Sequence, residues 1–321
     1  MRAIVIEEQG GPEVMRFTHT DTPEPGPGEV LIDIEARGVN FIDVYQRSGT
    51  YSVSTPFTPG VEAAGSVAAV GPGVTEFPVG ARVAWAMAPG GYADQAVVPA
   101  QRVVPVPDGV TAEQASAALL QGMTAHYLTH STYAVQPGDT VLVHAAAGGT
   151  GLLLVQMAKA RGATVIGTAS TEEKRRLAGE AGADEIIDYT TTDVAQAVRE
   201  LTGSQGVAAV YDGVGADTFE ASLQSLRMRG VLALFGQASG AVPPVDPQRL
   251  NSAGSVFLTR PSLAHYVAAR AELLERSADV FGLVAAGRLE VRVGGRYALS
   301  DVARAHEDLT ARRTTGKLLL T

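Results

Sequence analysis

The chain contains no cysteine, and that absence alone excludes several classes of site. Without thiolates there is no disulfide, no cysteine nucleophile, no iron–sulfur cluster and no cysteine-rich zinc site. The six histidines form no ligand cluster in the sequence. His126 and His130 have the spacing of a metal-binding pair on a helix, but no third ligand accompanies them. We therefore predict no metal site.

The sequence also lacks a long apolar run and an excess of positive charge. No stretch of about 18 apolar residues occurs, so no membrane span is expected, and the residues after Met1 do not resemble a secretory signal. With 25 basic and 34 acidic residues, the formal net charge is −9. That charge argues against general nucleic-acid binding, because no basic excess displaces counterions from phosphates. The net charge does not exclude a local basic pocket for one phosphate. We expect a cytoplasmic enzyme.

The sequence shows two patterns of secondary structure, one in its first 110 residues and another further on. The first 110 residues carry short β-type runs, such as 29–39 and 64–71, between Gly- and Pro-rich turns, which predicts a mostly antiparallel β domain. A capping box at Thr111 and Gln114 then opens a helix. Further on, β-type runs alternate with helical stretches such as 150–162 and 171–182, which predicts an α/β protein with a doubly wound parallel sheet. Its six expected strands are 140–145, 164–169, 185–188, 207–212, 230–236 and 255–259.

The end of the chain no longer shows the regular alternation of strands and helices. A helical pattern over 262–287 precedes a strand pattern over 288–299, and a helix with a short terminal strand fills 301–321. We expect this tail to complete the N-terminal β domain. The predicted domains are therefore 1–123 with 262–321, and 124–261 between them.

A glycine-rich turn, HAAAGGTG at 144–151, stands between the first predicted strand of the α/β domain and a helix. That is the context of a dinucleotide-binding turn, although Ala146 replaces its first glycine. Gly148 allows the backbone to approach a pyrophosphate, Gly151 allows close helix–strand packing, and Ala146 is tolerated if its φ is negative. Backbone N–H groups at the start of the helix then meet the negative charge.

The end of the second predicted strand indicates which dinucleotide binds. NAD sites place Asp or Glu there for the ribose 2′-hydroxyl, and a carboxylate would repel the 2′-phosphate of NADPH. Here the strand ends in Thr-Ala-Ser, so Ser170 and, one turn on, Lys174 are available for a phosphate. The alternative is that Lys174, Arg175 and Arg176 form a solvated helix face paired with neighbouring glutamates. We predict NADPH as the cofactor.

Seven segments now match a known family in order. They are 38–51, 59–74, 90–99, 121–128, 144–151, 235–240 and 312–320. The chain resembles the zinc-free quinone oxidoreductases of the medium-chain dehydrogenase/reductase superfamily, which include zeta-crystallin. The resemblance implies a GroES-like catalytic domain, a Rossmann NADPH-binding domain, a homodimer, and hydride transfer to a quinone or a similar conjugated carbonyl.

The resemblance also implies site residues. Where zinc-containing relatives carry a Cys and a His ligand, this chain has Asn40 and Val61, and Glu62 is expected to be only a hydrogen-bond acceptor. The residues that the resemblance places at the nicotinamide and substrate are Asn40, Tyr45 and Tyr51. The residues expected to bind the cofactor are Asn40, Thr124, Ala147, Gly148, Gly149, Thr150, Ser170, Lys174, Tyr189, Phe235, Gly236, Arg312 and Lys317.

Several alternatives stay open at this point. The alternatives are that Tyr45 and Tyr51 pack under a loop, that Thr124 bonds to its own helix backbone, and that Arg312 and Lys317 are surface charges. Enones and enoyl thioesters need the same planar acceptor site as quinones, so the sequence scarcely separates these substrates. An NADPH-binding protein that interacts with RNA is a third reading, against which the acidic charge argues.

Overall fold

The computed structural model describes all 321 residues and divides into two compact units. The first unit contains Met1–Met123 and Tyr266–Thr321, and the second unit contains Thr124–His265. None of the helices combines the length and the apolarity that crossing a bilayer requires.

The regular elements follow one another as β strands and then as an alternation of strands and helices. Up to residue 127 they are β1 (Arg2–Val5), β2 (Arg16–His19), β3 (Glu29–Val39), α1 (Phe41–Ser48), β4 (Glu62–Val70), β5 (Arg82–Ala86), β6 (Gln95–Pro99), β7 (Val103–Pro105) and α2 (Ala112–Tyr127). The next group is β8 (Thr140–Val143), α3 (Gly149–Ala160), β9 (Thr164–Ala169), α4 (Glu172–Glu180), β10 (Glu185–Asp188), α5 (Val194–Leu201), β11 (Val207–Asp212), α6 (Phe219–Ser225), β12 (Leu226–Leu234), α7 (Pro247–Ser252) and β13 (Phe257–Thr259). The chain ends with α8 (Leu263–Tyr266), α9 (Arg270–Ala285), β14 (Val293–Tyr297), α10 (Val302–Thr310) and β15 (Lys317–Leu320).

The first unit is built on a seven-stranded sheet in the order β14-β15-β3-β4-β5-β7, with β6 also paired to β3. The tail strand β15 pairs antiparallel with β3, with Leu319 opposite Gly38, so the C-terminal tail completes this β domain as predicted. Its core includes Trp85, which is fully buried and donates its indole N–H to the carbonyl of Ala88 at 3.1 Å. Burying a large aromatic ring with its polar atom satisfied is a strongly stabilising arrangement.

The second unit is a parallel sheet of six strands in the order β10-β9-β8-β11-β12-β13. All six predicted strands are present, and the prediction of a doubly wound sheet is confirmed. From β8 the chain runs outward through β9 and β10 on one side, and then through β11 to β13 on the other. In such sheets ligands bind beyond the carboxyl ends of the strands where the direction of winding reverses, which here is between β8 and β11.

The helices were predicted less completely than the strands. The capping box is confirmed, because Gln114 N donates to Thr111 Oγ1 at 3.1 Å and Thr111 N donates to Gln114 Oε1 at 2.9 Å. No bounds were predicted for the short helices α1, α5, α6 and α7. Each has at most eight residues, too few to show a helical apolar period.

The helical pattern predicted over 262–287 is present but interrupted, since the structure forms α8 and α9 with residues 267–269 between them. Arginine side chains satisfy carbonyls at the break: Arg276 Nε donates to Tyr266 O at 3.0 Å, and Arg102 Nη1 donates to Val267 O at 3.3 Å. Capture of these carbonyls by distant side chains replaces the helical hydrogen bonds. The strand predicted over 288–299 is likewise shorter, with only Val293–Tyr297 in the sheet.

Candidate functional site

The glycine-rich turn lies at the carboxyl end of β8, at the reversal point of the sheet. Gly148 is the N-cap of α3, with extended backbone (φ −77°, ψ 172°) and no side chain capping the helix. The first helical hydrogen bond runs from Leu152 N to Gly148 O at 3.0 Å. The N–H groups of Gly149, Thr150 and Gly151 therefore have no acceptor within the helix and point from its positive end, which suits a bound anion.

Gly151 fixes how closely α3 approaches the strand. A Cβ at this position would lie 2.3 Å from Ala145 O and 2.9 Å from Ala146 Cα, so only glycine fits without a backbone shift. Ala146 is fully buried and is not among the residues with positive φ, as its methyl group requires. The preceding residue, Ala145, has φ +50° instead. The left-handed conformation of Ala145 was not predicted. It makes the sharp turn that the first glycine makes in the usual dinucleotide-binding motif.

A chain of buried side chains runs from the residue before this turn to the end of β11. Ser222 Oγ donates to Asp212 Oδ2 at 2.7 Å, so in its 3.0 Å contact with His144 Nε2 the imidazole is the donor. His144 Nδ1 then accepts from Thr168 Oγ1 at 3.2 Å. Burial lowers the pKa of His144, which keeps the ring neutral. Because the carboxylate binds the serine and not the histidine, this is no nucleophilic triad.

These hydrogen-bonded side chains instead connect the ends of three strands, since His144 follows β8, Thr168 lies in β9 and Asp212 ends β11. Sequence reasoning missed this network. Its members are separated by tens of residues, and each looks like an ordinary core or turn residue by itself.

Phe235 and Gly236 follow β12 and lie against the end of β11. The N–H groups of Phe235 and Gly236 donate to Asp212 O at 2.8 and 3.3 Å. A Cβ on Gly236 would lie 2.3 Å from Gly213 O, so the two segments meet at backbone distance. Asp212 Oδ1 also holds the N–H of Val214 at 2.8 Å. The predicted nicotinamide segment is thus a tightly fixed backbone at the carboxyl edge of the sheet.

The ends of β9 and β10 bring the predicted 2′-phosphate residues to one edge. Ala169 and Asp188 are register partners, so Ser170 and Tyr189 follow adjacent strands. Tyr189 is 40% exposed. Lys174 N donates to Thr171 Oγ1 at 3.2 Å and so helps to cap the start of α4.

Arg175 joins this edge and was not predicted there. Its Nη1 donates to Ser170 O at 3.2 Å and forms a salt bridge with Asp188. Arg176 pairs with Glu180. Within the alternative of a solvated face, the two arginines thus pair with Asp188 and Glu180 and not with Glu172 and Glu173. The edge presents a guanidinium group and a lysine, and its one carboxylate is already paired.

In the first unit, Asn40 and Lys317 lie in a buried polar cluster with Glu62 and Gln121. Lys317 Nζ donates to Glu62 Oε2 at 2.5 Å, to Asn40 Oδ1 at 2.7 Å and to Gln121 Oε1 at 2.9 Å. Asn40 Nδ2 donates to Glu62 Oε2 and to Gly38 O, both at 3.1 Å. Gln121 Nε2 donates to Asn40 Oδ1 at 2.5 Å.

This cluster changes the roles expected for two residues. Lys317 is 3% exposed and all three of its ammonium donors have partners within the first unit, so the geometry does not support the expected contact with the cofactor or a surface role. Asn40 is 4% exposed, and both its amide oxygen and its amide nitrogen carry two hydrogen bonds. A ligand would have to replace one of those bonds. Glu62 accepts hydrogen bonds, as expected, and its partner Lys317 was not foreseen.

Tyr45 and Tyr51 form an aromatic pair at the end of α1. Their ring centroids are 5.1 Å apart with planes at 58°, and Tyr51 N donates to Tyr45 O at 2.9 Å. Phe41 extends the row, with its centroid 6.1 Å from that of Tyr45. Tyr51 is 37% exposed. The structure therefore brings the two predicted tyrosines together, with the Tyr51 side chain partly exposed.

Thr124 and Arg312 are the remaining predicted cofactor residues. Thr124 is 7% exposed within α2, and Arg312 is exposed, with φ +57°, in the turn after α10. His126 and His130 stack with centroids 4.1 Å apart. No group of three or more His, Cys, Asp or Glu side chains is arranged to hold a metal ion.

The second unit fits NADPH on two observations. The N-terminus of α3 has no capping side chain, so backbone N–H groups remain for a pyrophosphate. The end of β9 carries Ser170 and the side chains of Lys174 and Arg175, a donor set that suits a 2′-phosphate. The donors for the pyrophosphate and for the 2′-phosphate thus lie at the carboxyl edge of one sheet.

Comparison with known proteins assigns both halves of this arrangement to families. Residues 26–108 match the alcohol dehydrogenase GroES-like domain, and residues 149–274 match the zinc-binding dehydrogenase family. The fold and the dinucleotide-binding edge thus define a medium-chain dehydrogenase/reductase, with a GroES-like β domain and a Rossmann domain.

Full-length relatives narrow this class. A quinone oxidoreductase of Pseudomonas aeruginosa is 46% identical over 321 residues, covering 99% of each chain. A 2-haloacrylate reductase of a Burkholderia species is 43% identical and covers 99% of this chain and 98% of the relative. The structure of Escherichia coli quinone oxidoreductase complexed with NADPH is 42% identical, covers 100% and 99% of the two chains and superimposes with a TM-score of 0.98. The chain belongs to the quinone oxidoreductase family.

Proposed function

We propose that the protein transfers a hydride from NADPH to a quinone. The observation that carries the proposal is the end of β9, where Ser170, Lys174 and Arg175 stand in place of the carboxylate that an NAD site needs. Relatives named quinone oxidoreductases, one of them complexed with NADPH, support both the cofactor and the acceptor. We assign the first unit as the catalytic domain and the second as the NADPH-binding domain.

The proposed cofactor site extends along the carboxyl edge of the second unit. The backbone at Ala147, Gly148, Gly149 and Thr150 binds the pyrophosphate, and Ser170, Lys174, Arg175 and Tyr189 bind the 2′-phosphate. Thr124, Phe235 and Gly236 contact the nicotinamide. The uncapped start of α3 and the rigid contact of Gly236 with Gly213 support these assignments. Arg312 is proposed as a further phosphate contact because it is a cation in an exposed turn.

The acceptor lies, in this proposal, on the ring faces of Tyr45 and Tyr51. A planar quinone stacks on aromatic rings and displaces water from them. Bound NADPH supplies the hydride. The protein positions the acceptor, and the Tyr51 hydroxyl donates a hydrogen bond to the quinone oxygen that becomes negative. Solvent delivers the proton to that oxygen, so no buried acid is required.

NADPH oxidation with a panel of acceptors tests the function. We expect turnover with benzoquinone and naphthoquinone, faster with NADPH than with NADH. Absence of quinone turnover at saturating NADPH, with binding of NADPH intact by titration, would contradict the proposed acceptor. Tighter binding of NADH than of NADPH would contradict the proposed cofactor.

A second candidate is reduction of α,β-unsaturated carbonyls, and the 43% identity to a 2-haloacrylate reductase favours it. Enones, enoyl thioesters and haloacrylates present the same planar conjugated acceptor to the tyrosine pair. The same panel separates the two functions when a haloacrylate and cyclohexenone are included. Turnover of these compounds without quinone turnover would make this second function the correct one.

We also propose a homodimer in the cytoplasm. β13 is an edge strand whose Phe257 is 61% exposed, and Met228 in the neighbouring β12 is 79% exposed. Exposed apolar side chains beside a sheet edge favour association between copies. The proposed use of NADPH, an intracellular cofactor, supports the location. We propose no nucleic-acid partner, in keeping with the net charge of −9. Light scattering on the purified protein tests the dimer.

A further inference from the structure

A buried ammonium group connects four separate parts of the first unit. Lys317 opens β15, Asn40 precedes α1, Glu62 opens β4, and Gln121 lies in α2. Their side chains meet at Lys317 Nζ, which has three donors and three acceptors within 2.9 Å. Lys317 and Glu62 have side chains only 2% and 0% exposed. Such a pair is held by complete hydrogen bonding, since a buried charge without partners is strongly destabilising.

The chain is built to admit this lysine. The antiparallel register of β15 with β3 sets Leu318 opposite Val39, and its continuation puts Lys317 beside Asn40. The lysine stem passes over Gly38, where a Cβ would lie 2.8 Å from Lys317 Cε and 2.4 Å from Glu62 Oε2. Glycine at this position therefore leaves the space that the ion pair occupies.

The ammonium determines which way the Asn40 amide points. Asn40 Oδ1 faces Lys317 Nζ and Gln121 Nε2, which are both donors, while Nδ2 faces the Glu62 carboxylate and a carbonyl. A flipped amide would place N–H groups against the ammonium and an oxygen against the carboxylate. Only one orientation is compatible with the charges on either side.

Asn40 in turn holds the start of α1. Asn40 N donates to Asp43 Oδ2 at 2.8 Å, and Asp43 N donates to Asn40 O at 3.1 Å. Asp43 also accepts from Tyr92 Oη at 2.8 Å and from Val61 N at 3.1 Å, so the first turn of α1 is anchored to the unit on two sides. The same helix carries Tyr45, and Tyr51 bonds to its backbone.

We propose that Lys317 is a positioning residue for the acceptor site: its ammonium fixes Asn40, and through Asn40 it fixes the helix that carries Tyr45 and Tyr51. Lys317 itself touches neither acceptor nor cofactor. The proposal rests on the proposed function in so far as Tyr45 and Tyr51 bind the acceptor. The order of α1 can be measured without any acceptor.

The absence of cysteine from the chain allows a direct test of the charge. In Lys317→Cys the single thiol is alkylated in urea, before refolding, with either bromoethylamine or iodopropane. The first reagent rebuilds a lysine-like side chain with an ammonium, and the second gives a neutral side chain of the same length. Wild-type protein carried through the same unfolding and refolding is the control.

We expect the neutral propyl form to lose about tenfold or more in quinone kcat/KM, mainly through a higher quinone KM, with the Kd for NADPH unchanged. The aminoethyl form should recover activity to within about threefold of the refolded wild type. Equal quinone kinetics for the two alkylated forms would overturn the proposal, because they differ only in the terminal ammonium, with its charge and its three hydrogen-bond donors.

A second variant tests the proposal if the alkylated proteins do not refold. Lys317→Met combined with Glu62→Gln removes both charges and leaves neither unpaired. We expect faster hydrogen–deuterium exchange of the α1 amides in this variant and unchanged exchange in α3. The matched control is Arg296→Met with Glu113→Gln, which removes an exposed ion pair of the same unit. Unchanged exchange in α1 would overturn the proposal, whether or not the wild type reduces quinones.

Discussion

Arg175 forms a salt bridge with Asp188 at the point where β9 and β10 end, and the same guanidinium donates to Ser170 O at 3.2 Å. Hydrogen bonds from Thr190 and the charge of Arg175 hold the pKa of Asp188 below its usual value, so the carboxylate is ionised at neutral pH. The proposed 2′-phosphate site therefore contains an acid whose charge is compensated by one arginine.

Arg175→Ala should weaken NADPH binding by about tenfold or more, because a charge-assisted contact is lost and Asp188 is left to repel the phosphate. NADH lacks that phosphate and should bind as before. Titration of both cofactors measures the two Kd values. In the double variant with Asp188→Asn the repulsion is gone, so part of the NADPH affinity should return. Equal weakening of NADH would show instead that Arg175 only stabilises the fold.

Lys174→Ala should also weaken NADPH by about tenfold while changing the NADH Kd less than about twofold. The backbone N–H of Lys174 caps α4 through Thr171, and alanine keeps that bond. The substitution thus removes the ammonium group without removing this hydrogen bond. Arg176→Ala is the matched control on the same helix, since Arg176 pairs with Glu180. If both variants weaken NADPH alike, general surface charge and not a specific contact is responsible.

Gly151→Ala should destabilise the protein by about 2–3 kcal/mol, because its Cβ would lie 2.3 Å from a backbone oxygen that cannot move alone. The displaced turn should raise the Kd for NADPH as well. Thermal unfolding and cofactor titration measure the two effects. Gly282→Ala is the control: this helical glycine has nothing within 4 Å of the added methyl, and the variant should gain up to about 1 kcal/mol. A harmless Gly151→Ala would mean that α3 can shift outward freely.

The strands were predictable from sequence where the helices were not. β3 and the strands of the second unit are apolar runs bounded by turn signals, and their period appears within a few residues. Helix α1 has eight residues and begins at Asn40, whose N-cap role depends on a bond to Asp43 that no periodicity reveals. At the break between α8 and α9 the freed carbonyls are bound by two arginine side chains, Arg276 of α9 itself and Arg102 from the β domain, and no local pattern reveals these contacts.

The site was predictable as far as it is local in sequence. The turn at 144–151 and the acid-free end of β9 are contiguous motifs with a known chemistry. The pairing of Lys317 with Glu62 spans 255 residues and the contact of His144 with Ser222 spans 78, so only the folded chain reveals them. Lys317 was predicted to bind the cofactor because it lies in a segment that matches the family. A lysine is ordinarily exposed, so its burial beside Glu62 was not expected.

His306 should make the first unit sensitive to acid. Tyr92 Oη donates to Asp43, so His306 Nε2 is the donor in its 3.1 Å contact with that hydroxyl. Burial lowers the pKa of His306 to about 3. An unfolded histidine takes up its proton near pH 6.5, so this contribution to stability is complete above about pH 6.5 and is lost as the pH falls toward 3.

Between about pH 7 and pH 5 the wild type should therefore lose about 2 kcal/mol more than His306→Gln, which cannot be protonated. Burial also raises the pKa of Asp43 to about 6, and that carboxyl group loses its contribution as the pH rises through 6, opposite in direction. Both proteins keep Asp43, so the difference between their unfolding free energies isolates His306. His265→Gln, which removes a histidine at an exposed position, is the control variant. Parallel pH profiles for wild type and His306→Gln would show that His306 is not buried neutral.

Tyr51→Leu should raise the KM for a quinone by about five- to tenfold, because the ring that stacks on the planar acceptor and on Tyr45 is removed. The Kd for NADPH should stay the same, since Tyr51 is not among the proposed cofactor-binding residues. Tyr51→Phe keeps the ring and removes only the hydroxyl, so it should leave KM near that of the wild type and lower kcat if the hydroxyl stabilises the developing oxyanion. Phe17→Leu, a similarly exposed aromatic residue in β2, should change neither constant. A quinone KM that is unaffected in Tyr51→Leu would place the acceptor away from the tyrosine pair.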